Sequence, residues 1–197
     1  MARTILDNKT VLVAGADTPV GRAASLQFVR AGMRVLLAGD DAEVLKEINE
    51  LIARKKGEAF VVMMPESAAD LATVLRHERD RAGHLHIVAN TCALVGEHGE
   101  ATALEVHRVT MDLAKERGFC RFLVLWPDSR ELNVGAAPEQ WRSIVRVGPL
   151  AMPGDESATG LRPAAVADAL VCLSQCPPSA CPVEVSLKYC AAQAEKK

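Results

Sequence analysis

Thr10-Val11-Leu12-Val13-Ala14-Gly15-Ala16-Asp17-Thr18-Pro19-Val20-Gly21-Arg22 is the stretch whose reading decides the fold. Residues 10–14 form a short apolar run of strand length, and Gly15 permits a tight turn. Thr18 carries the side chain of a helix N-cap, and Pro19 is pre-organised for the first helical position. The helix expected over 20–31 spaces Val20, Ala24, Phe28 and Ala31 along one face. A strand entering a helix through glycines points unpaired backbone N–H groups and a positive dipole end at one spot, which suits a phosphate. Two readings follow. One is the first βαβ unit of a dinucleotide-binding fold. The other is an ordinary strand–turn–helix in a different α/β protein. The glycine pattern alone does not separate them.

Working outward, strand and helix signals alternate. Apolar runs at 33–38, 59–64, 85–89, 119–126, 143–147 and 182–187 read as further strands. The run at 59–64 is continuously apolar, as a parallel strand covered on both faces would be. Helices are expected from the Asp41 cap to 56, over 68–81 and 101–117, and from Arg162-Pro163 to 175. The helix from Asp41 to 56 puts Val44, Leu45, Ile48, Leu51 and Ile52 on one face. Polar, glycine-bearing segments at 96–99 and 153–157 read as loops, and 193–197 as a frayed tail. The expected architecture is α/β over residues 1–197. It is one Rossmann-like domain, a doubly wound, mainly parallel seven-stranded sheet in a three-layer sandwich.

Composition excludes several function classes. The chain has 197 residues, 49% of them hydrophobic, which is enough for one sizeable core. A formal net charge of -2 argues against a nucleic-acid surface or a polybasic membrane patch. No apolar run reaches bilayer length and the first residues carry no signal-like segment, so a cytoplasmic location is expected. Of the 6 cysteines, Cys172, Cys176, Cys181 and Cys190 crowd one end, while Cys92 and Cys120 stand apart. No C-x-x-C pair occurs, so small buried thiols are expected rather than zinc or iron–sulfur ligands. His84 and His86 share a face by period two, but no third ligand is evident; surface positions and no metal site are expected, for His98 as well.

Nearly the whole chain resembles the short-chain dehydrogenase/reductase family. Residues 14–21 are similar to the family's T-G-x-x-x-G-x-G turn, and His86-Ile87-Val88-Ala89-Asn90-Thr91-Cys92 falls where the family has a strand ending N-N-A-G. Gly57-Glu58-Ala59 resembles the family's lead into its third strand. The most specific match is Arg162-Pro163-Ala164-Ala165-Val166-Ala167-Asp168-Ala169-Leu170, with Ser174-Gln175 and the strand Val183-Glu184-Val185-Ser186-Leu187, which resembles the family's last helix and strand. The resemblance implies NAD or NADP as cofactor, held by Gly15, Asp17, Thr18, Val20, Gly21, Asp40 and Asn90. Pro19 replaces the middle glycine and removes one N–H. Asp40 or Asp41 would accept ribose hydroxyls and repel a 2′-phosphate, which favours NAD. Asp41 serves equally as a helix cap, and Gly148-Pro149 inverts the family's Pro-Gly beside the nicotinamide, so a chain that binds no cofactor stays open as a reading.

The departures fall on catalysis. Trp126-Pro127 stands where the family has its Ser, the chain's only tyrosine is Tyr189, and too few residues follow Pro127 for the family's long sixth helix and its Tyr-x-x-x-Lys. No catalytic residue is therefore assigned; Asp128, Ser129 and His107 are the weak substitutes. The expectation is a degenerate family member acting as a structural, regulatory or nucleotide-sensing subunit. The alternatives are an active NAD(P)-dependent oxidoreductase with a rearranged site, or a metal or redox protein built on the C-terminal cysteines. Loss of the sixth helix should also expose Leu104, Val106, Val109, Met111 and Leu113 on the helix over 101–117, the family's fifth, unless a protein partner covers them. A homo-oligomer through the last helix and strand, 166–187, is the other expected assembly.

Overall fold

Apolar strands punctuated by caps and glycines arrange themselves in the computed structural model, which describes residues 5–65, 67–82, 84–94, 96–117, 120–131, 142–151, 160–177, 180 and 182–188. The strands are β1 (Thr10–Ala14), β2 (Arg34–Gly39), β3 (Ala59–Met63), β4 (Leu85–Asn90), β5 (Arg121–Pro127), β6 (Arg142–Val147) and β7 (Glu184–Leu187). All neighbours pair parallel, in the order β3-β2-β1-β4-β5-β6-β7. The chain builds outward from β1 to β3 and then returns to the other side of β1. That reversal opens a crevice beyond the C-terminal ends of β1 and β4.

Helices α1 (Pro19–Arg30), α2 (Ala42–Arg54) and α5 (Pro163–Gln175) share one apolar core with one face of the sheet, and α3 (Ala68–Ala82) and α4 (Gly96–Arg117) share a second core with the other. Strand alternation sorts the residues. Val11 and Val13 join the first core, Leu12 and Ala14 the second. Val20, Ala24 and Phe28 on α1 are fully or almost fully buried, as their spacing predicts. Burying Phe28 alone contributes about 1.5–3 kcal/mol. The start signals hold. Thr18 caps α1 by accepting from Gly21 N at 2.9 Å, and Asp41 caps α2 by accepting from Glu43 N and Val44 N at 3.0 and 3.1 Å.

Four expectations change. β3 is an edge strand, with Val61 and Met63 exposed, because the strand order leaves it one neighbour only. The segment 96–99 is not a loop but the first turn of α4; its two glycines lower intrinsic propensity and hide the helix from a sequence reading. The apolar face of α4 is not left open either. Val106, Val109, Met111 and Leu113 are all buried, and only Leu104 is exposed. The thin cover lies instead on β6, where Arg142, Ile144 and Arg146 take the half-buried positions and Ser143, Val145 and Val147 the buried ones. Last, the thiols divide: Cys92 and Cys120 are buried, Cys172 is exposed and Cys176 half-buried. Cys181, Cys190, Tyr189, the loop at 153–157 and the tail at 193–197 lie outside the described residues. Among the described residues no helix is long and apolar enough to cross a membrane, and no group of three or more His, Cys, Asp or Glu side chains could hold a metal ion.

The turn after β1 tolerates no side chain at Gly21, where a Cβ would stand 1.9 Å from Gly15 O. Gly21→Ala should cost about 3 kcal/mol, the upper end of overpacking effects, read as a lowered urea midpoint at unchanged m value.

Candidate functional site

The crevice is a cavity of about 410 Å³ whose walls include Gly15, Asp17, Thr18, Gly39, Asp40 and Cys92, with Met64 and Thr102 behind them. Its floor is the turn after β1. Gly15 adopts φ +76° and brings the backbone against Thr91, whose Oγ1 would lie 2.7 Å from a Cβ there. Thr91 Oγ1 donates to Ala14 O at 2.8 Å, which hooks the end of β4 onto the end of β1. At the N-terminus of α1 the Gly21 N–H goes to Thr18 Oγ1, the Arg22 N–H to Thr18 O, and Pro19 has none. The Val20 N–H is left as the one free donor among the described residues of that terminus.

Charge in the crevice is one-sided. Asp17 Oδ2 accepts from both Asp40 N and Asp41 N, at 2.7 and 3.0 Å. Its carboxylate rests over Gly39, where a Cβ would meet it at 2.6 Å. Burial, and then the charge of Asp17, push the Asp40 carboxyl above its ordinary range. The same two aspartates, after burial itself, hold the Cys92 thiol up at about 12, so it is a neutral wall and no nucleophile. No Lys or Arg lines this cavity among the described residues.

No family model matches the chain. Among known proteins, a Streptomyces sp. (strain C5) protein named "Putative daunorubicin C-13 ketoreductase DnrU" is 44% identical over 54 residues, 27% of this chain and 19% of that protein. The matched stretch thus spans about a fifth of its relative's length. The citronellol catabolism dehydrogenase AtuB of Pseudomonas aeruginosa PAO1 superposes with a TM-score of 0.76 over 98% of each chain, at 17% identity. The landomycin C-6 ketoreductase LanV, solved with bound NADP and rabelomycin, superposes with a TM-score of 0.72 over 94% of this chain and 96% of its own, at 20% identity. This is the short-chain dehydrogenase/reductase fold.

Set in that fold, the expected binding residues divide in two. Gly15, Asp17, Thr18 and Asp40 line the crevice, and Val20 follows Thr18 and Pro19 in the first turn of α1. Gly21 shapes the turn by its missing side chain, and Asn90 is consumed internally. Its Nδ2 donates to Ala103 O at 2.7 Å and its Oδ1 accepts from Cys92 N at 3.3 Å, with 1% of the residue exposed. Sequence reasoning missed Thr91, Gly39 and Cys92. The Gly39-Asp40-Asp41 run ending β2 was the available signal for Gly39.

The candidate proton carriers are not brought together. His107 lies in the core between α4 and β5, its ring edge-on to Phe122 at 5.6 Å, with Nδ1 unpartnered. Asp128 is paired with Lys188 at 3.2 Å beyond the ends of β5 and β7, and Ser129 is exposed. None of the three lines the crevice. Near the end of β5 stands Trp126, whose Nε1 is buried without a partner. His84 is exposed as expected, but His86 is half-buried beneath it, the rings 4.8 Å apart.

Burial first, then Arg142, pushes His107 down to about 4; burial first, then His84 and Lys9, does the same for His86. Unfolded, each titrates near its ordinary 6.5. The unfolded chain therefore binds more protons between these values, and folding stability falls as pH drops from about 6.5 toward 4. Melting temperature should decline across that window, and the decline should be shallower in His107→Phe, which keeps the edge-on ring.

Proposed function

We propose that this chain is a short-chain dehydrogenase/reductase relative that binds an NAD-type dinucleotide without carrying the family's proton-transfer chemistry, and that it works as a regulatory or structural, nucleotide-sensing subunit. The observation that carries the reading is the crevice itself: the N-terminus of α1 beside the carboxylates of Asp17, Asp40 and Asp41, with no Tyr or Lys among the described residues that line it. Val20 N–H and the Thr18 hydroxyl would hold the diphosphate, and Asp40 would accept ribose hydroxyls. A bound nicotinamide would supply a hydride. Among the described residues that line the crevice there is no tyrosine, lysine or histidine to exchange the accompanying proton with a carbonyl.

Preference for NAD follows from repulsion. A 2′-phosphate would approach Asp17, Asp40 and Asp41 with no cation among the described wall residues to offset them. The NADP-bound ketoreductase shares the fold, and NADP is the outcome that this charge opposes. Assembly of two copies through α5 and the edge strand β7, and a cytoplasmic setting, are part of the same proposal. An oxidoreductase with a rearranged site gains no support from Asp128, Ser129 or His107, which sit apart and outside the crevice.

Calorimetric titration of the full chain with NAD, NADH, NADP and NADPH tests this. Expected is a micromolar signal for NAD or NADH and binding of the phosphorylated forms at least about tenfold weaker, a gap that Asp40→Ser narrows. No carbonyl panel should consume either reduced cofactor. Silence toward all four nucleotides, or steady turnover with any ketone, would overturn the proposal.

A further inference from the structure

At the opposite end of the strands from the crevice lies a second cavity, of about 420 Å³. Its polar lining is cationic or neutral: Arg121, Lys9 and His86, with Ser174 and Gln175 from the end of α5, and no Asp or Glu among the described lining residues. Ile5, Leu6 and Ile87 supply apolar wall.

Two features make this a built site. Arg121 opens β5 on the side of α5 and is only 4% exposed. Its Nη1 donates to Leu173 O at 2.5 Å, and among the described residues the guanidinium has no carboxylate partner. A guanidinium carries five N–H donors and a fixed charge; the Leu173 carbonyl takes one donor, and the group lines the cavity without a carboxylate among the described residues. Burying a cation in that state costs free energy that a bound anion would recover.

The second feature is a register break. β1 pairs Thr10 with Leu85 but Val11 with Ile87, so His86 is the extra residue of a bulge. The ring of His86 turns to accept the Thr10 N–H at Nδ1, 3.1 Å away. An imidazole that accepts at Nδ1 carries its proton at Nε2, which makes the ring a neutral donor there. The charges of Lys9 and Arg34 act on the same ring.

We propose that this cavity is an anion site for a small organic oxyanion, a carboxylate or phosphate group on a short apolar body. Arg121 and Lys9 supply charge, His86 Nε2–H a directed donor, and Ile5, Leu6 and Ile87 contact the body. Because the strands are parallel, the site lies at their N-terminal ends while the nucleotide crevice lies at their C-terminal ends, so the two can be occupied and tested separately.

The test is an NMR titration of the full chain, following the histidine ring and arginine side-chain signals. Sodium phosphate is used in one arm and sodium butyrate in the other, with ionic strength held constant by sodium chloride. Saturable shifts at His86 and Arg121 in either arm support the site: butyrate alone assigns a carboxylate with an apolar tail, phosphate alone a phosphate, both a general oxyanion pocket. Lys9→Gln should weaken the binding about tenfold, as loss of one charge-assisted contact does. Lys9 is half-buried with no ion pair among the described residues, so this variant folds even where Arg121→Gln does not. Linear, unsaturated shifts in both arms, saturable shifts confined to Thr18–Val20, or an unaltered affinity in Lys9→Gln would overturn the proposal.

Discussion

Gly21 and Gly15 touch backbone to backbone, and most of what is distinctive about the molecule depends on that contact. With 1.9 Å between a would-be Cβ and Gly15 O, α1 can leave β1 at its steep angle only through a glycine. The close turn lets Thr91 reach across to Ala14 O and lets Asp17 reach across to the backbone of Asp40 and Asp41. The ends of β1, β2 and β4 are thereby tied at one point, and the crevice is the space those ties leave. Neither glycine has to touch a ligand for the site to depend on both.

The two faces of the sheet are finished differently. On one, α1 and α5 pack through Val20, Ala24, Phe28, Val166 and Leu170 into a continuous core. On the other, α4 covers β4 and β5, but β6 presents Arg142, Ile144 and Arg146 at half-buried positions. Arg146 spans this region, its Nε on Glu184 at 2.8 Å and its Nη1 on Arg130 O at 2.6 Å, while Arg130 is paired with Glu100 at the start of α4. Arginine stems cover apolar surface while their heads stay paired. The same face carries Trp126 near the end of β5, packed into the second core.

Charge is separated along the strands rather than across the molecule. Carboxylates gather at the C-terminal ends, where Asp17, Asp40 and Asp41 adjoin the crevice. Cations gather at the N-terminal ends, where Lys9 and Arg121 line the second cavity. A formal net charge of -2 conceals this polarity, because opposite groups cancel in a sum that ignores position.

The sequence by itself determined the alternation of strands and helices, the Thr18 and Asp41 caps and the absence of a Tyr-x-x-x-Lys, because each is written in contacts within a few residues. It could not show that the apolar run 59–64 becomes an edge strand, since exposure there depends on strand order, nor that Asn90 spends its amide on Ala103 O, since α4 must first be in place. It misplaced the glycines of 96–99 as a loop because their local propensity is poor, and packing overrides propensity. The buried Arg121 and the bulged His86 were invisible for the same reason. Their neighbours, Leu173 and Thr10, lie 52 and 76 residues away, and only closure of the sheet brings them within a hydrogen bond.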